Sequence, residues 1–237
     1  MKLAILMYHR IEPLPPGAVH TTNFVRPHDF AAQMAALRQW GYRSITLVDW
    51  LGYRTGRCRL PRRPIILTFD DGYRSVRDVA WPILRQHALR ATTFLVSGCV
   101  GATNRWDADE AQVPLLDAGE VRALHAEGMA FGSHGRTHRA LARLPLREAV
   151  DELAQSRAEL EELLGEPVRF LSYPYSNQNR AVRFAAREAG YEAAVRGRGR
   201  MNSRRTDPLQ LRRIKVDYRT TLRALRWKLF RERWLRV

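Results

Sequence analysis

The sequence predicts an α/β fold, a single distorted (β/α) barrel of about seven parallel strands that takes up residues 1–237. Three observations carry this prediction. Strand-like apolar runs alternate with helix-like segments along the whole chain, the order expected of β-α units around a parallel sheet. No internal repeat or linker divides the 237 residues, and their 45% apolar content suits one barrel-sized core. The side chains best equipped for chemistry follow the C-terminal ends of strand-like runs, the rim where such barrels carry their sites.

Residues 3–9, Leu3-Ala4-Ile5-Leu6-Met7-Tyr8-His9, read as the first strand. A loop with Pro13, Pro15 and Pro16 leads to a helix from about His28, with Asp29 near its cap and Gly41 as its stop. Arg43 to Thr46 is a second strand, and Ile65 to Phe69 a third that looks buried. A helix over 74–86 is interrupted by Pro82, which lacks the N–H a helix interior needs. Thr92 to Val96, β-branched and aromatic, is a further strand. Asp117 caps a helix to Glu127, Met129 to Ser133 is a strand, and Leu146 to Leu164 is an amphipathic helix stopped by Gly165. Phe170 to Tyr173, Glu192 to Val195 and Leu211 to Val216 complete the strands, with a helix over about 180–189 between the first two.

Leu67-Thr68-Phe69-Asp70-Asp71-Gly72-Tyr73 delivers two adjacent carboxylates from a strand and then turns at a glycine. Two like charges side by side are costly unless a cation sits with them or one carries a proton. Further on, His134-Gly135-Arg136-Thr137-His138 has the spacing that sets two imidazoles on one face of a helical turn. One carboxylate plus two imidazoles is a three-ligand catalytic metal set with a position left for water. The second aspartate is then free to act as a base.

With Gly132-Ser133 before the first histidine and a strand before the aspartates, the two clusters resemble the polysaccharide deacetylase family of metal-dependent carbohydrate esterases. That family's first motif, Thr-Phe-Asp-Asp-Gly, stands here unaltered as Thr68 to Gly72, and its His-[Ser/Thr]-x-x-His motif as His134 to His138, with Gly135 replacing the hydroxyl residue. The resemblance implies that Asp70 is the general base and that Asp71, His134 and His138 hold one divalent metal. Zinc is the first expectation, although cobalt and nickel accept the same donors. The third motif, usually Arg-x-Pro-Tyr, appears as Ser172-Tyr173-Pro174-Tyr175, so Pro174 and Tyr175 are kept and Ser172 stands where the arginine would brace the base. Arg212 or Arg213 is the candidate replacement, and the Tyr175 backbone N–H would point at the developing oxyanion. Most of the family places a histidine acid near the C-terminus, but this chain has no histidine beyond His138. Its opening strand plus His9 resembles that element moved to the front, as in the circularly permuted branch that includes poly-N-acetylglucosamine deacetylases. His9 is then the acid that protonates the leaving amine; the alternative is a buried histidine satisfied by a backbone carbonyl.

The activity so implied is removal of an N-acetyl group from an amino sugar of a glycan or a lipid-linked or nucleotide-linked intermediate. A deformylase on a lipid-linked amino sugar is the alternative on the same residues, and a non-catalytic metal scaffold is disfavoured because every metal-facing group is kept. Residues 97–113 form a polar rim loop in which Trp106 either stacks on a sugar or packs the loop. Residues 196–206 are basic and glycine-rich, either a solvated loop or a lid that gathers an anionic substrate.

Forty basic against twenty-four acidic residues give a net charge of +16, beyond what solubility needs. From Tyr218 to Val237 there are six Arg and one Lys against Glu232 alone. In that stretch a helix over about 219–235 sets Leu222, Leu225 and Leu229 on one face and Trp227, Phe230 and Trp234 on a neighbouring arc. It suits either an anionic membrane surface or packing on the barrel. Nucleic acid is the weaker explanation of the charge, since no recognition motif accompanies it. No 18-residue apolar window, no secretory pattern ahead of Tyr8 and only Cys58 and Cys99 make a cytoplasmic protein, peripheral at the inner face of the membrane, the expectation.

Overall fold

The structure is a computed structural model that describes residues 1–197, 199 and 201–234, without the side chains of 231–234. Twelve strands are present among the described residues. They are β1 (Lys2–Tyr8), β2 (Arg10–Ile11), β3 (Phe24–Val25), β4 (Arg43–Ser44), β5 (Pro64–Phe69), β6 (Thr92–Leu95), β7 (Ala130–Ser133), β8 (Phe170–Ser172), β9 (Ala193–Arg196), β10 (Asn202–Ser203), β11 (Leu211–Arg212) and β12 (Ile214–Lys215). The α-helices are α1 (Pro27–Gln39), α2 (Leu47–Arg54), α3 (Trp81–Gln86), α4 (Ala118–Ala126), α5 (Leu146–Leu164), α6 (Arg180–Glu188) and α7 (Leu222–Trp234).

Six strands run parallel in the order β1-β5-β6-β7-β8-β9. A seventh position closes the sheet and is shared by two dipeptides: β11 pairs β9 through Leu211↔Val195, and β12 pairs β1 through Leu6↔Ile214. The barrel of about seven parallel strands is therefore present. The expected strand Leu211–Val216 is split at Arg213, because each half follows a different neighbour. Short β10 adds an antiparallel edge to the start of β1, and β4 lies beside the start of β5.

Side chains alternate across each strand, so one face of the sheet points into the barrel and the other to the helices. Leu3, Ile5, Ile66, Phe94, Phe170, Ala193, Val195 and Leu211 pack together with Trp50 of α2, while Ala4, Leu6, Tyr8, Ile65, Leu67 and Ala194 pack outward with the helices. Carried one or two steps further along the strands, the inward parity brings Met7 and His9, Thr68 and Asp70, Ser172, and Arg213 to one end of the lumen. Binding residues at the C-terminal rim thus follow from register.

Three elements differ from the sequence reading. Helix α2 was not expected: Thr46, read as strand, is its N-cap, and the Thr46–Asp49 capping box starts a helix whose Trp50 is fully buried. The 74–86 helix is a π-helical turn over Val76–Ala80 followed by α3, since Pro82 supplies no N–H and the ladder shifts register. The basic excursion is no rim lid over 202–206: Asn202 is buried, Arg212 N–H donates to its Oδ1 at 2.8 Å, and Arg204 Nε reaches Arg54 O at 3.0 Å.

Helix α7 packs on α1 through Leu225 and Leu229, both buried. Leu222, expected on their face, is 41% exposed, and Trp227 and Phe230 are 56% and 62% exposed. The Trp234 side chain and residue 235 lie outside the described residues. Among the described residues no helix is long and apolar enough to cross a membrane.

Candidate active site

Asp70 continues the β1–β5 ladder, its N–H donating to Tyr8 O at 3.0 Å, and its side chain enters the lumen. The chain then reverses. Asp71 has φ 75° and Gly72 φ 78°, and a Cβ on Gly72 would lie 2.7 Å from Leu95 Cδ2, so the turn requires glycine. Aspartate is among the few other residues that tolerate the left-handed region. The reversal sends the two neighbouring carboxylates to different partners.

Asp71 Oδ1 lies 3.4 Å from His134 Nε2 and 3.3 Å from His138 Nε2. Neither pair has hydrogen-bond geometry, so this buried oxygen is left without a hydrogen bond. Ligand bonds of about 2.1 Å in a tetrahedron set donors about 3.4 Å apart, so an orphaned oxygen at these separations fits a shared cation. His134 Nδ1 is 2.7 Å from Ser172 O; as the donor there, it leaves Nε2 with its lone pair toward Asp71. Burial pushes the Asp71 carboxyl up, but the two imidazoles outweigh it and hold the group well below the ordinary carboxylate range.

The two histidines do not share a helical turn. They stand at the ends of an irregular loop after β7, with Gly135 at φ 77° and His138 at φ 60°, and the loop curls so that both rings converge. Glu152 of α5 holds it, accepting from Arg136 N–H at 2.9 Å, Thr137 N–H at 2.6 Å and the Thr137 hydroxyl at 2.9 Å. The His138 ring lies between Trp106, 4.4 Å away and tilted 31°, and Tyr175, 4.5 Å away edge-on.

Arg213 meets Asp70 in a two-pronged pair, Nη1 to Oδ1 at 2.7 Å and Nη2 to Oδ2 at 2.6 Å. Nη1 also reaches Thr68 Oγ1 at 3.1 Å and Nη2 Ser172 Oγ at 2.8 Å, while the buried Nε has no hydrogen-bond partner. Ser172, at the position of the family arginine, therefore accepts from a guanidinium that arrives from the barrel seam instead. Arg212 is not brought to the site; it is exposed and engages Asn202 through its backbone. Burial raises the Asp70 carboxyl, yet the charge of Arg213, with His134, brings it below its ordinary value.

A cavity of about 580 Å³ joins these groups with His9, Trp106, Tyr175, Lys215 and Lys228. His9 Nδ1 is buried without a hydrogen-bond partner, which removes the reading of a histidine satisfied by a carbonyl at that atom. Burial lowers its pKa to about 4 against the pull of Asp71 and Asp70. Pro174 is buried beneath the 134–138 loop and does not line the cavity. Glu152, Lys215 and Lys228 carried no site signal in the sequence: one is a glutamate on an amphipathic helix, one a lysine within the expected last strand and one a lysine in the basic C-terminal helix.

A parallel barrel whose rim pairs a carboxylate–imidazole cradle with a braced second carboxylate has the donors to hold a divalent metal beside a base. The relatives narrow the class. The sequence profile named Polysaccharide deacetylase matches residues 58–194, more than half of the chain, and the chain belongs to that family. The putative polysaccharide deacetylase YxkH of Bacillus subtilis (strain 168) is 25% identical over 218 residues, 91% of this chain and 72% of that protein. The poly-beta-1,6-N-acetyl-D-glucosamine N-deacetylase of Staphylococcus epidermidis is 24% identical over 189 residues, 72% of this chain and 63% of that protein. The solved structure of IcaB from Ammonifex degensii superposes with a TM-score of 0.82 at 26% identity, covering 96% of this chain and 97% of that one.

Proposed function

We infer that this protein is a metal-dependent N-deacetylase acting on an amino sugar of a cell-envelope glycan or of its lipid-linked precursor. The observation that carries the reading is the Asp71–His134–His138 cradle beside an Arg213-braced Asp70 in one cavity. Zinc suits a cradle of one carboxylate and two imidazoles with a position to spare, and when bound it supplies water activation and carbonyl polarisation. Asp70, kept ionised and fixed at both oxygens, takes the proton of the attacking water. His9 returns a proton to the departing nitrogen. With a pKa of about 4 it is neutral beforehand, so it acts only after the proton that Asp70 took from the water has passed to its ring. The imidazolium so formed gives that proton to the nitrogen as the C–N bond breaks, leaving the free amine and acetic acid. The Tyr175 N–H is the candidate donor to the carbonyl oxygen in transit, and Trp106, packed on His138, offers the cavity an aromatic wall for a sugar. The relatives' deacetylase names favour acetyl over formyl, and no observation favours a nucleic-acid or scaffold role.

The same reading takes α7 to the inner face of an anionic membrane. Leu222, Trp227 and Phe230 are exposed beside Arg223 and Arg226, a mixture of apolar and cationic groups that complements anionic lipid headgroups.

Free-amine release from N-acetylated glucosamine oligomers, with metal content by elemental analysis, tests the activity. The wild type should release acetate and carry one divalent metal per chain. Asp70→Asn should keep the metal and lose about 10²–10⁴-fold in kcat. A metal-loaded Asp70→Asn enzyme with unchanged turnover would refute Asp70 as the base.

A further inference from the structure

Two ammonium groups share the cavity with the cradle and have no part in the chemistry above. Lys215 lies on β12 opposite Met7, one inward step from His9 on the neighbouring strand. Its Nζ donates to Thr22 Oγ1 at 2.8 Å and lies 3.4 Å from Asn23 Oδ1. Lys228 reaches in from α7, its Nζ 3.0 Å from Lys215 O and 3.4 Å from Thr220 Oγ1. An ammonium has three donors, so each lysine keeps one for a ligand. All these partners are neutral oxygens, and among the described residues no carboxylate lies within ion-pair distance of either Nζ.

The charge of the wall is therefore uneven. Three carboxylates line the cavity: Asp70 is matched by Arg213, Asp71 belongs to the cradle, and Asp107 lies toward His20, 3.7 Å from its Nε2. Among the described residues no carboxylate pairs directly with either lysine on the His9 side; burial lowers the pKa of Lys215, and the fields of Asp217, Asp70 and Asp71 offset this only in part. A half-buried ammonium without a counter-charge is costly unless a ligand supplies one. A neutral glycan would not.

We propose that Lys215 and Lys228 form a subsite for an anionic oxyacid group, a phosphate or diphosphate ester, carried by the same amino sugar whose amide is cleaved. The inference rests on the deacetylase reading and narrows it from neutral polymer toward a phosphorylated, precursor-type substrate.

The test compares an N-acetyl amino sugar with its phosphate ester as substrates for the wild type, Lys215→Gln, Lys228→Gln and the double variant. The wild type should favour the ester, and each substitution should raise KM for the ester roughly tenfold more than KM for the neutral sugar, as loss of one charge-assisted hydrogen bond implies. Lys228→Arg should restore part of the preference. Equal changes on both substrates, or none, would overturn the subsite. So would free inorganic phosphate raising turnover of the neutral sugar to that of the ester, since the anion would then not be the substrate's own. Should neither amide be hydrolysed, the deacetylase reading fails, and calorimetric binding of the phosphate ester still decides the subsite. Weaker binding by the folded double variant supports it, and equal binding rejects it.

Discussion

Arg213 joins three parts of the site, holding Asp70 with two prongs while touching Thr68 and Ser172. A lysine cannot reproduce that fork. Arg213→Lys should keep the charge but let Asp70 swing, and kcat should fall about 10²-fold with metal content intact, since loss of orientation alone costs on that order. Arg213→Met removes the counter-charge of a buried carboxylate and should cost about 3–5 kcal/mol in chemical denaturation. His9→Ala should depress hydrolysis of an amide far more than that of an aryl ester, whose leaving group needs no proton; equal losses would mark His9 as structural. Asp70, Asp71, His134 and His138 were legible in the sequence because their two motifs together match the family, although the spacing of either alone is weak. Arg213 was legible only as one of two neighbours, since choosing between them requires the inward parity of a strand broken at that residue. Glu152 was not legible at all, because what sets it apart from the other glutamates of α5 is a loop folded against it.

The loop between the two histidines shows what spacing alone cannot say. His-x-x-x-His suggests a helical turn, but Gly135 at φ 77° bends the chain away from helix and Glu152 ties down the next two amides. A Cβ at Gly135 would meet nothing closer than Glu152 Oε1 at 3.4 Å, so Gly135→Ala is opposed mainly by its backbone angle. It should destabilise the protein by about 1–2 kcal/mol and weaken metal affinity, both measurable by equilibrium titration. Helix α7 buries Leu225 and Leu229 but leaves Leu222, counted on the same face, exposed with Trp227 and Phe230. Leu225→Ala should cost about 2–5 kcal/mol, since it empties a buried position. Trp227→Ser combined with Phe230→Ser should leave folding intact and reduce sedimentation with phosphatidylserine vesicles. If binding to those vesicles is unchanged, the membrane role of this face is wrong.

Across the whole molecule, the parallel barrel and its closure were readable from the β-α alternation, whereas the place of β4 outside the path from β1 to β5, α2, β10 and the split seam were not, being short and decided by tertiary pairing. The metal should couple to the stability of the entire barrel, because its candidate ligands come from β5 and the loop after β7 while their supports come from α5 and β8. Free metal at about 100 times its Kd adds about 2.7 kcal/mol to a native state. For a chain of this size that is roughly 5–10 °C in Tm. Chelation should lower Tm by about this amount in the wild type and scarcely at all in His134→Ala. The seam has a further consequence, in time rather than space. On the ribosome Asp71, His134 and His138 all emerge before residue 213, and β1 must wait for β12 before the sheet can close. A nascent chain would thus expose its candidate metal ligands before Arg213 is available to brace Asp70, so the order of synthesis sets the cradle ahead of the base.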